Sequence, residues 1–130
     1  MQNPYLKSKV LTADRGQILL MLYDGAIRYG RQAVLAYERQ KPLEALPHMG
    51  RMLNIVQELQ TALDHKQDPE LCANLESLYV FVQDRLLAAQ QHKDAAPLHE
   101  AEAILADLRD TWRAALEQQQ QEAFPISRTG

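Results

Sequence analysis

Apolar side chains recur at intervals of three and four residues along most of the chain, the spacing that stacks them on one face of an α-helix. Four such stretches are separated by short breaks holding Pro, Asp and Lys. The first runs from about Asp14 to Tyr37, with Leu19, Leu22, Tyr23, Ala26, Ala33 and Tyr37 as its principal stripe and Gly30 in line. Thr12 and Asp14 can each accept a hydrogen bond from the unpaired first-turn amides and so cap its start. The second begins between Pro42 and Pro47 and ends near Asp64, with Leu46, Met49, Leu53, Val56 and Leu63 on one face. Asp68 as N-cap and Pro69 in the first helical position open the third, which extends to about Gln91. Its stripe is Leu71, Leu75, Leu78, Val82, Leu86 and Ala89. The fourth starts after Asp94, keeps Pro97 in its first turn and reaches Gln118, with Leu98, Ala101, Leu105, Leu108, Trp112 and Ala115 as its expected buried line.

Helices of this length joined by connections of about four to seven residues favour antiparallel neighbours. The predicted fold is therefore all-α, an up-down-up-down four-helix bundle over 14–117. Residues 1–13 are too short to fold alone, yet Tyr5, Leu6, Val10 and Leu11 make them apolar enough to lie on the bundle. The Gln-rich stretch 118–130 reads as a polar, flexible tail.

The 130 residues amount to one domain with one core. Cys72 is the single cysteine, so the chain has no internal disulfide and no thiolate cluster, as suits a reducing cytosol. No apolar run approaches the roughly 20 residues of a membrane span, and the first nine residues lack the core of a signal peptide. Fourteen basic residues against 17 acidic ones, dispersed along the chain, are the wrong balance for neutralising phosphates, which argues against nucleic acid as a partner.

Catalytic chemistry has little to stand on. Bundles that hold two metal ions use Glu-x-x-His pairs, and none occurs here. His48, His65, His92 and His99 fall at or near helix ends or in connectors, where exposure is the usual outcome. Cys72 has no histidine near it in sequence to act as its base. The glycines have no phosphate-loop spacing; Gly25 and Gly30, inside the first helix, read as points of close helix packing. No cofactor and no enzymatic activity are expected.

The helices carry more apolar arc than one core needs, about three positions per heptad. Leu20, Ile27 and Val34 widen the face of the first helix and are expected in the core. On the second helix Met52, Ile55 and Leu59 form an extra line, and on the third Val80 and Leu87 project roughly 150° from the core stripe. These residues are candidates for an exposed groove that accepts an amphipathic helix, a task to which adaptable Met side chains are suited.

The run Leu20-Met21-Leu22-Tyr23-Asp24-Gly25-Ala26-Ile27 resembles the signature of the flagellar secretion chaperones, the FliS family. Asn3-Pro4-Tyr5 stands at the expected distance upstream. Asn74-Leu75 with Leu78-Tyr79 and Arg85-Leu86 follows the family's third helix, and Leu108-Arg109-Asp110-Thr111-Trp112 its last. The elements lie in order from Asn3 to Ala115. The chain departs from many members in having Asp14-Arg15 where they have Ser-Pro, and in Pro47 and the Gln-rich tail.

The resemblance implies a cytosolic bundle around which the C-terminal segment of flagellin wraps, blocking premature polymerisation before delivery to the flagellar type III export apparatus. Other flagellar export or regulatory proteins are further partners on this reading. It also implies that residues 1–13 form a displaceable cap, with Tyr5 at the matching position. The expected client contacts are Tyr5, Val10, Leu11, Met52, Ile55, Leu59, Tyr79, Val80 and Leu87. The family-motif positions are Leu22, Tyr23, Asp24, Gly25, Asn74, Arg85 and Trp112, of which Tyr23, Asp24 and Gly25 are as readily architectural as functional. A monomer or weak homodimer is expected without client. The competing reading is a helical adaptor or dimerisation module whose surplus stripes bind a second copy.

Overall fold

The computed structural model describes residues 13–123, and these form four helices: α1 (Ala13–Glu38), α2 (Pro42–Thr61), α3 (Pro69–His92) and α4 (Ala96–Ala123). The expected all-α bundle is the observed fold. Start and stop chemistry explains most of the boundaries. The carboxylate of Asp68 accepts from the Leu71 amide at 3.1 Å, and Pro69 follows at a position whose N–H would have had no helical partner. Asp94 accepts from the Ala96 amide at 3.1 Å at the head of α4. Both α1 and α3 end on a residue in the left-handed region, Gln40 (φ 60°) and Lys93 (φ 51°). In each case the next amide turns back to a carbonyl five residues earlier, Lys41 to Ala36 and Asp94 to Ala89, satisfying acceptors that the helix leaves open.

Helix α2 starts at Pro42, at the edge of the expected 42–47 window, and Pro47 lies inside it. The end of α4 differs from expectation. Helix α4 continues through Gln118–Gln121, which the sequence reading assigned to the tail. Gln, Glu and Ala are good helix formers, and Gln118 donates to Glu122 one turn on at 3.3 Å.

The helices form a closed ring in which α1 packs on α2 and α4, and α3 packs on the same two, leaving α1 and α3 diagonal. Cross-helix contacts give the direction. Tyr37 donates to the Met49 sulfur at 3.3 Å, while a Cβ placed on Gly30 would meet Met52 and one on Gly25 would meet Ile55, so α2 advances as α1 retreats. Against α4 the partners are Asp24 with Arg109, Arg31 with Glu102, and Glu38 with His99, again antiparallel. The core includes Tyr23, Ala26, Ile27, Ala33 and Val34 from α1, Met49, Met52, Val56 and Leu59 from α2, Leu75, Tyr79, Val82 and Leu86 from α3, and Leu98, Ala101 and Leu105 from α4. Leu20, Ile27 and Val34 are buried, as expected of a helix wedged between two neighbours. Gly25 and Gly30 face α2 at close range, the backbone approach expected of them.

Three stripe positions are corrected. Leu46 and Leu71 are exposed, and Ala115 lies at the surface while Leu116 is buried against Gly16.

Candidate functional site

The motif residues of α1 and α4 lock into one another. The Tyr23 hydroxyl, fully buried, is hydrogen-bonded to the Tyr79 hydroxyl on the diagonal helix α3, and the Trp112 indole N–H of α4 donates to the Tyr23 oxygen at 3.1 Å. Burial pushes both phenols above their usual value of 10.0. One residue along, Asp24 turns to the α1–α4 seam, where the Arg109 guanidinium reaches it at 3.2 Å and Asp110 at 3.1 Å. Gly25 lets α2 approach, with the Ile55 Cδ1 3.3 Å from where its Cβ would stand. Tyr23, Asp24 and Gly25 thus address α3, α4 and α2 in turn. Three consecutive residues tie the whole ring together.

Of the other motif positions, Leu22 and Trp112 are half-buried against the core and Asn74 is exposed. Arg85 reaches Glu100 of α4 at 3.2 Å and lies over the Phe81 ring. Cys72 is buried, donates to the Asp64 carbonyl at 3.3 Å, and has its thiol pKa pushed up chiefly by burial. That is the setting of an unreactive thiol. Among the described residues, no three His, Cys, Asp or Glu side chains come together as a metal site would require.

The expected groove residues separate into three groups. Met52, Leu59 and Tyr79 are in the core, which corrects their placement on the surface: Met52 packs at the tight α1–α2 seam, 3.2 Å from where a Gly30 Cβ would stand, and Leu59 and Tyr79 are buried in the same core cluster. Ile55 is half-buried at the rim of the same seam. Val80 and Leu87 are exposed, at 43% and 53%. Tyr5, Val10 and Leu11 lie outside the described residues.

The α2 residues that flank Val80 and Leu87 follow from one contact. Gln83 of α3 donates to Gln60 of α2 at 2.7 Å, so the Gln83 face of α3 looks towards α2. Val80 and Leu87 lie one turn either side of Gln83, and Leu53 lies seven residues before Gln60 on the same face of its own helix. The apolar strip along the α2–α3 seam is therefore Val80 and Leu87 with Leu53 and Leu46. Leu53 packs partly against the core, as its stripe predicts, whereas Leu46, seven residues before it and fourteen before Gln60, is exposed.

A family model described as flagellar protein FliS matches residues 1–119. The chain belongs to the FliS family. Among its relatives, the flagellar secretion chaperone FliS of Bacillus subtilis (strain 168) is 32% identical, with 93% of this chain and 92% of the relative covered. The flagellar secretion chaperone FliS of Escherichia coli (strain K12) is 29% identical over 85% of this chain and 82% of its own length. The flagellar secretion chaperone FliSB of Pseudomonas aeruginosa is 29% identical over 85% and 88%. The family is one of chaperones in flagellar export, which fits a bundle whose motif residues are spent on holding helices together. No described helix is long and apolar enough to cross a membrane.

Proposed function

We propose that this chain is a cytosolic flagellar export chaperone that holds the C-terminal segment of flagellin, prevents premature polymerisation and assists its delivery to the type III export apparatus. The observation that carries this reading is the placement of large apolar side chains on the outside of an otherwise well-filled bundle. Val80, Phe81 and Leu87 on α3 and Leu46 on α2 stand in solvent while the core beneath them is complete without them. A flagellin end that must pair with neighbouring subunits in a filament exposes an apolar strip while free. A second apolar strip covers it without any catalysis, and a disordered segment that folds on binding can spread over a large area. In this proposal Val80, Leu87 and Ile55 contact the client, and Tyr5, Val10 and Leu11 belong to a cap that the client displaces. Calorimetric titration of a flagellin C-terminal fragment into the full chain and into a form lacking residues 1–11 tests it. A one-to-one complex is expected, tighter for the truncated form, because a cap lowers apparent affinity by the fraction of molecules it covers. Absence of binding together with concentration-dependent self-association would favour the adaptor reading instead.

A further inference from the structure

At the α1–α2 seam two guanidinium groups from different helices converge on one ring. The Arg28 Cζ lies 5.5 Å from the centroid of Tyr29 and the Arg51 Cζ lies 5.8 Å from it. Several other basic side chains are matched by carboxylates: Arg31 by Glu102, Lys41 by Glu44, Arg85 by Glu100, Arg109 by Asp24 and Asp110. Arg28 and Arg51 instead rest on an aromatic face, which engages the flat side of a guanidinium and leaves its in-plane N–H donors directed outward. Beside them the His48 ring stacks on Tyr29 at 6.4 Å between centroids, with its Nδ1 buried and, among the described residues, without a hydrogen-bond partner. An Nη of Arg28 sits 3.9 Å from where a Gly25 Cβ would be, so the guanidinium folds over the seam and not away from it. Towards the start of α1 the same face carries Leu22 and Ile18, in the line Tyr29, Gly25, Leu22, Ile18 with steps of four, three and four residues, and Ile55 stands opposite Gly25.

We infer that Arg28, Arg51, Tyr29 and His48 form a carboxylate-binding notch that takes an Asp or Glu of the client segment, while apolar client residues of the same helix lie on Ile55, Leu22 and Ile18. The chain as a whole is acidic, with a formal charge of −3, so a locally positive notch selects an acidic residue and sets the register of the helix that bears it. A carboxylate accepts bidentate bonds from guanidinium, and bonds of that kind fix orientation more firmly than apolar contact does. The inference rests on the client-holding function proposed above.

The test uses the full chain and a flagellin C-terminal fragment, titrated at low and high salt. The Arg28→Gln/Arg51→Gln variant should bind about tenfold or more weakly and lose most of the salt dependence seen with the unsubstituted chain. Replacing the fragment's acidic residues by Lys one at a time should identify one whose loss is recovered by Arg28→Glu/Arg51→Glu. Both arginines are exposed, so folding is expected to survive, and circular dichroism verifies this. Unchanged affinity and salt dependence in the Gln variant, with the fragment still binding, would overturn the notch and leave the chaperone reading intact. Failure of the unsubstituted chain to bind the fragment would overturn both. Self-association abolished by the Gln substitutions would assign the notch to a second copy of this chain and overturn the client assignment.

Discussion

The Trp112 indole N–H and the Tyr23 hydroxyl meet 3.1 Å apart, and through Tyr23 the hydrogen bonding passes on to Tyr79 on the far side of the bundle. Helices α1 and α3 are diagonal, so this chain of three side chains is a polar link across the centre of the bundle. A buried hydroxyl that finds its partners specifies one arrangement of its surroundings, because any other arrangement leaves it unpaired at a cost. Tyr23 and Trp112 belong to the two longest family-like runs in the sequence. Their pairing makes those runs a device for fixing helix register.

Removing the Tyr23 hydroxyl should cost more than its single bonds suggest. Tyr23→Phe leaves the buried Tyr79 hydroxyl without its partner, and the expected loss of stability is about 1–3 kcal/mol. Tyr79→Phe should cost less, since Tyr23 keeps the Trp112 N–H. The double variant Tyr23→Phe/Tyr79→Phe removes the orphan as well as the bond and should cost less than the sum of the two. Urea unfolding of all three decides this; strict additivity would mean that the hydroxyls are not coupled.

The same pair sets an alkaline limit. Tyr23 and Tyr79 are held above the usual phenol value of 10.0 by burial, whereas in the unfolded chain both ionise near it. Their contribution to stability is therefore complete below pH 10 and is lost as pH rises from there towards the folded-state values. The tyrosinate absorbance of the buried pair, read as the difference from the Tyr23→Phe/Tyr79→Phe chain, should appear above pH 10 and together with loss of helical ellipticity. Its appearance with the helices intact would contradict this.

The four helices and their approximate ends were legible because caps, prolines and periodicity agreed, as at Asp68-Pro69. Which residues of each helix point inward was only partly legible. On α4, Leu116 lies five full turns from Leu98 at 3.6 residues per turn, whereas the expected stripe ends at Ala115, one residue short, because a strict three-four alternation averages 3.5 and drifts from the true period. On α3, Tyr79, expected among the client contacts, is buried, and Leu71, expected in the core stripe, is exposed. Periodicity gives an arc but not the azimuth, which depends on where the neighbours sit. The diagonal Tyr23–Tyr79 contact could not be read at all, since nothing local in the sequence says which helices are opposite. The same ignorance of azimuth put Met52 and Leu59 on the surface and Leu46 in the core.

Gly16 and Leu116 offer a test of close packing at the α1–α4 seam. A Cβ on Gly16 would stand 2.7 and 2.9 Å from the two terminal carbons of Leu116, so Gly16→Ala forces a buried leucine to move. The expected cost is about 1–3 kcal/mol, the usual range for overpacking. In a Leu116→Ala background the obstacle is gone, and the same Gly→Ala change should be neutral or stabilising by up to about 1 kcal/mol through helix propensity. Thermal melts of the four combinations measure the reversal; equal effects in both backgrounds would show that the seam has slack.

Placement relative to the core separates two sets of residues that looked alike in sequence. Met52 and Leu59 are buried, so Met52→Ala or Leu59→Ala should lose about 2–5 kcal/mol of stability. Ile55→Asp sets a charge at a half-buried rim against Gly25 and should also destabilise. Val80 and Leu87 are exposed at 43% and 53%, so Val80→Asp and Leu87→Asp should cost about 1 kcal/mol or less, mostly from helix propensity. If the α2–α3 strip holds the client, those two nearly harmless changes must weaken flagellin-fragment binding, because each replaces an apolar contact by a carboxylate that the docked helix would have to desolvate. Circular dichroism melts and calorimetric titrations on the same samples keep the two effects apart. Stable Val80→Asp and Leu87→Asp chains that bind the fragment with undiminished affinity would move the client off this strip and leave the α1–α2 seam, with Ile55 at its rim, as the surface to probe next.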